Sequence, residues 1–165
     1  MPTEETHHAL ARLFSELVLG AGDHGNSFIL NSSDRGLLRS LDGLSAVEAS
    51  DSVSGGATVA AHATHLAYGL SLMNRWATDG GNPFADAAWD DAWKISGVNQ
   101  QEWTAIRHTL RSEADRWLAT LASPREASAI ELQGMISSVA HVAYHLGAIR
   151  QIARSARGPK EGTFS

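Results

Sequence analysis

Two imidazoles four residues apart, in SVAHVAYHLGAIRQI (residues 138–152), are the first place where this chain could do chemistry. On an α-helix that spacing puts His145 one turn beyond His141 and about 40° around the axis, so both rings leave on one side. Ile149 and Ile152 flank them there, which points the rings into or beside the core-facing sector. A second stretch, TVAAHATHLAYGLSLMNRW (residues 58–76), carries His65. Leu72 and Trp76 lie within about 20° of it around the helix and Met73 within about 80°. His65 is therefore also expected to look inward, with His62 one turn earlier and about 60° away.

An inward imidazole with an unmet polar nitrogen costs roughly 1–3 kcal/mol. A carbonyl or a hydroxyl can meet one such ring, but three in one core are harder to satisfy separately. A divalent metal ion meets them together. Neutral imidazoles at i and i+4 converge on a point about 2 Å from each nitrogen, and a third arrives from a facing helix. The competing reading has no metal and three separately hydrogen-bonded core histidines, because an i, i+4 pair alone is a weak signal.

Rings placed this way need long helices, and four segments carry the helical period. The first, about 4–19, has a stripe of Leu10, Leu13, Phe14, Leu17 and Val18. The second covers 58–78. The third opens on Asn99 as a cap with Glu102 at the third helical position, runs through Trp103, Leu110, Trp117 and Leu121, and stops at Ser123-Pro124. The fourth runs from about 128 to 155, opened by the Ser128/Glu131 spacing of a capping box, with Gly134 and Ser138 leaving room around the rings. Residues 20–57 are rich in Gly, Ser, Asp and Asn and read as a long connection, interrupted where Ser45 and Glu48 have capping-box spacing. Residues 79–98 form another irregular stretch. With no strand pattern, the expectation is an all-α four-helix bundle in one domain, 1–165. A long crossover joins its first and second helices, and a tail from 156 frays after Gly158-Pro159.

Composition narrows the function classes. A net charge of −5 argues against a nucleic-acid surface. Arg150, Arg154, Arg157 and Lys160 read as a solvated helix end. Cysteine is absent, which removes disulfides, thiolate ligands and a cysteine nucleophile together. No apolar run is long enough to span a bilayer, and the acidic start lacks a signal peptide's features, so the expected location is the cytoplasm.

The pattern H-V-A-Y-H-L-G-A-I (residues 141–149), following a helix with T-V-A-A-H-A-T-H-L-A (residues 58–67), resembles the DinB/YfiT-like superfamily of metalloenzymes. The resemblance covers most of the chain in layout: a bundle of similar size, one histidine on the second helix and an H-x-x-x-H-x-G pair on the fourth. The family register selects His65, seven residues after Thr58 and followed by Leu66-Ala67, and leaves His62 as a possible second-sphere donor. Two departures stand out. Ala148 occupies a position where many members have Gln, and Tyr68-Gly69 replaces an Asp-Ser-His ending. The resemblance implies an open three-ligand site for zinc or nickel, made by His65, His141 and His145. It also implies a small-molecule reaction of the thiol-dependent transferase or isomerase kind, with a low-molecular-weight thiol as cosubstrate.

No catalytic acid or base can be singled out. Asp86, Asp90 and Asp91 lie in FADAAWDDAW, which reads as a loop pinned on the bundle by Phe84, Trp89 and Trp93 with its aspartates solvated, the alternative being a loop that closes over the metal. Glu131 reads as a cap, and Tyr144 points away from the histidine face by more than about 60°. His7, His8, His24 and His108 are expected at the surface. The alternative from another class is a non-catalytic, stress-associated metal-binding protein. A homodimer is a further expectation.

Overall fold

The computed structural model describes residues 4–22 and 27–159. His24 and Lys160 lie outside the described residues. All regular structure among these residues is helical, in six α-helices and two short 3₁₀ turns. The four long helices are α1 (Glu4–Leu19), α4 (Val59–Asp79), α5 (Gln100–Ala122) and α6 (Ala129–Ile152). Two short ones, α2 (Gly36–Asp42) and α3 (Ala46–Ala49), break the long connection after α1. No helix of the described residues is long and apolar enough to cross a membrane.

Local chemistry explains where these helices begin. Ser45, Asn99 and Ser128 each accept a backbone N–H inside the helix while Glu48, Glu102 or Glu131 reaches back to the cap. Glu131 also pairs with Arg125 at 2.8 Å. That contact and the Ser128 bonds hold its carboxyl down at about 2, so capping accounts for it. Thr58 caps α4 and also donates to Ile95 O at 2.9 Å, tying the helix start to the far end of the 80–98 connector. Helix α2 was not anticipated, because GLLRSLD is too short to show a period. A close backbone crossing sets it in place. Gly20 and Gly36 both have positive φ, and a Cβ on either would collide with the other's strand of chain.

Packing follows the apolar stripes. Helices α1 and α4 each pack on both α5 and α6, so the connection after α1 must carry the chain past its immediate neighbours. Phe14, Leu17, Leu66, Leu110, Val142 and Ile149 are buried between the four. The core also holds two indoles with met N–H groups: Trp103 donates to Leu44 O and Trp117 to the Ser138 hydroxyl, both at 2.8 Å.

Three surface expectations are corrected. Arg150 is not solvated: it pairs with the buried Asp34 at 2.7 Å and donates to Ala156 O, while Arg157 donates to Arg150 O. Ala156 is accordingly buried in the turn Arg154–Ala156, so the chain packs back here rather than fraying. His7 is buried as well. Its Nδ1 lies 3.2 Å from Leu121 O and its Nε2 2.9 Å from Arg125 O. Leu121 belongs to the last turn of α5, whose carbonyls lack helical partners, so this imidazole serves as a cap from 114 residues away. His8 and His108 are exposed, as expected.

Candidate metal centre

Helices α4 and α6 pack side by side and bring four imidazoles together. His141 Nε2 lies 3.1 Å from His65 Nε2 and 2.9 Å from His145 Nε2. One ligand atom from each of these three residues falls within 4.8 Å of the other two, a grouping that could hold a metal ion. His62 approaches from behind, its Nδ1 2.8 Å from His145 Nδ1. The i, i+4 spacing on α6 and the inward phase of His65 on α4 are what make the three Nε2 atoms meet.

Protons cannot satisfy this arrangement. A neutral imidazole nitrogen either carries one hydrogen or offers one lone pair, so His141 Nε2 can make one good bond, not two. His65 adds a second deficit, since its buried Nδ1 has no hydrogen-bond partner. A cation at the point of convergence would remove the conflict at His141. Tetrahedral zinc, with nitrogens about 2.0–2.1 Å away, spaces them about 3.3 Å apart, within a few tenths of the 3.1 and 2.9 Å that separate His141 Nε2 from the other two.

The electrostatics favour the ligand form of each ring. Burial, and after it charge on neighbouring imidazoles, lowers the His145 pKa to about 3 and that of His65 to about 4. Burial also pulls His62 and His141 below the ordinary histidine value. The charges acting on His65 and His145 come only from other imidazoles. The rings are therefore neutral at pH 7, as metal coordination requires. If His145 keeps Nε2 free, its proton resides on Nδ1 and is donated to His62 Nδ1, which fixes both tautomer and ring orientation.

The 80–98 connector covers the cluster. Trp93 stacks on His65 with ring centroids 4.4 Å apart and on His145 at 5.9 Å, and its indole meets the His62 ring edge-on at 5.4 Å. Trp89 lies 5.5 Å from His65. The connector is held by Ala88 N–H donating to the Tyr68 hydroxyl and by Phe84 meeting Trp76 edge-on. The aromatic anchors expected in this loop are present, but they rest on histidines as well as on the core. Asp86, Asp90 and Asp91 are exposed, and Asp91 pairs with Lys94. Closure of this loop over the metal is the alternative reading of the stretch, but which indole rests on which histidine depends on contacts between separate elements. Tyr144 is 71% exposed and touches His145 only with its ring. Comparison with protein-family models, curated proteins and solved structures finds no match to this chain.

Proposed function

We propose that His65, His141 and His145 hold one divalent metal ion, zinc or nickel, and that the protein is a small metal-dependent enzyme acting on a small molecule. The observation that carries this reading is the convergence of three Nε2 atoms that protons alone cannot satisfy. Two further features support it: the rings are kept neutral, and one cluster member, His141, borders a cavity. The site belongs to a DinB/YfiT-like four-helix bundle, with the connection through α2 and α3 as its crossover. That layout is supported by α1 and α4 each packing on α5 and α6.

Bound there, the ion would supply Lewis acidity to a coordinated water or thiol, as in a thiol-dependent transfer or isomerisation. The protein's own residues do the remaining work. His62 orients the His145 ring through the Nδ1 contact. Trp93 and Trp89 keep bulk water from one side of the rings, and His141 presents the centre toward the cavity. Protein purified without a polyhistidine tag and titrated with zinc or nickel should bind one equivalent per chain, by elemental analysis. No uptake of either ion would end this reading.

A further inference from the structure

A cavity of about 630 Å³ opens beside the histidines, between α4, α6 and the 80–98 connector. This is the size of a small-molecule compartment, for which about 300–1,000 Å³ is usual. Its aromatic walls are Trp76, Phe84 and Trp89, joined by an edge contact at 5.6 Å and a parallel one at 6.5 Å. Two glycines make the room. At Gly69 a Cβ would come within 3.6 Å of both His141 and Trp89, so any longer side chain would grow into the space between them. At Gly134 a Cβ would meet Trp76 at 2.5 Å, so the bare backbone is what lets the indole approach α6. No Asp, Glu, Lys or Arg among the described residues lines the cavity. Its polar groups are neutral: Asn82, Gln133, Ser137 and Ser138. Ser138 is already committed to Met135 O and Trp117.

Resting on the metal-centre reading above, we infer that this cavity is the substrate compartment and that it selects a molecule whose planar ring portion is uncharged and largely apolar. The ring lies against the indoles, and the reacting end is directed to His141. Away from His141, where the bound ion would itself pair with an anion, an ionised carboxylate, sulfonate or ammonium on the ring would lose its hydration and find no countercharge, which selects against it. A flat apolar ring instead gains contact area and aromatic packing against three fixed walls. Neutral Gln133 and Ser137 at the rim can orient hydroxyl or amide groups without demanding charge.

The test uses full-length protein incubated with zinc and two probes of equal ring size, 2-naphthalenemethanol and 6-(hydroxymethyl)naphthalene-2-sulfonate, which carries its charge at the end of the ring away from the hydroxymethyl group. Binding is followed by tryptophan fluorescence and titration calorimetry. The neutral probe should bind at least tenfold more tightly. Gly69→Leu should weaken it at least tenfold, and Ser137→Lys, at an exposed helix position, should shift preference toward the sulfonate. Equal or tighter sulfonate binding, no binding of the neutral probe, or indifference to both substitutions would overturn the inference. Metal content, measured on the same samples, separates the two readings. A neutral-ring preference in protein that takes up no metal removes the metal centre and keeps the compartment. Full metal occupancy without that preference does the opposite.

Discussion

His7 and His145 are both almost fully buried, yet they face opposite kinds of neighbour. His7 meets main-chain groups: its Nδ1 faces the Leu121 carbonyl in the last turn of α5, which needs a donor, and its Nε2 faces the Arg125 peptide group, whose N–H can donate to it. The ring nitrogens of His145 meet imidazoles, Nδ1 that of His62 and Nε2 that of His141. The first ring completes the fold's own hydrogen bonding. The second belongs to a set that cannot complete it. Burial of a histidine therefore says little about function until the partner of each nitrogen is known.

Acid should act most strongly on the imidazole cluster. His65 and His145 are held at about 4 and about 3, below the ordinary 6.5, so the unfolded chain binds protons that the fold refuses. Stability of the metal-free protein is then full above about pH 6.5 and falls as pH drops toward 4. The expected slope approaches about 1.4 kcal/mol per pH unit for each ring. Urea unfolding at pH 7, 6 and 5 measures this, and a flat profile would mean that the rings are not neutral by burial.

Replacing His145 by Ala should reduce metal affinity about 100-fold or more, because even outer partners of a ligand are worth about 10–100-fold. Chelation should lower the Tm of the wild-type protein and leave that of the variant unchanged. His7→Ala should do the reverse. It should cost roughly 1–3 kcal/mol of stability through the unmet Leu121 carbonyl, with metal uptake intact. The smallest effect is expected at His62. His62→Ala should weaken metal binding about tenfold, as loss of an orienting partner does, while calorimetry still finds one equivalent bound. A His62 variant as damaged as the His145 variant would make His62 a ligand in its own right.

The helices were readable because their signals are local. Asn99 with Glu102 and Ser128 with Glu131 close their boxes over three residues, and both helices start where those residues say. The phase of His141 and His145 on α6, and of His65 on α4, follows from 3.6 residues per turn and needed no partner to be known. Gly134 was legible as a small residue near the rings. That Trp76 would occupy the space was not, because the indole comes from another helix. Arg150 shows the same limit: its charge and place at a helix end suggested solvent, and Asp34, 116 residues away, gave it a buried partner.

Sequence by itself determined the four long helical segments, the capping boxes at Asn99 and Ser128 and the faces on which the histidines lie, since hydrogen bonds and periodicity within a few residues set all three. Tertiary structure alone decided what each nitrogen meets. His65 reaches His141 across 76 residues, His62 reaches His145 across 83, and His7 reaches Leu121 across 114. Such contacts depend on how whole helices are juxtaposed, and the same inward imidazole becomes a helix cap or a member of a metal-binding group according to what the neighbouring helix presents.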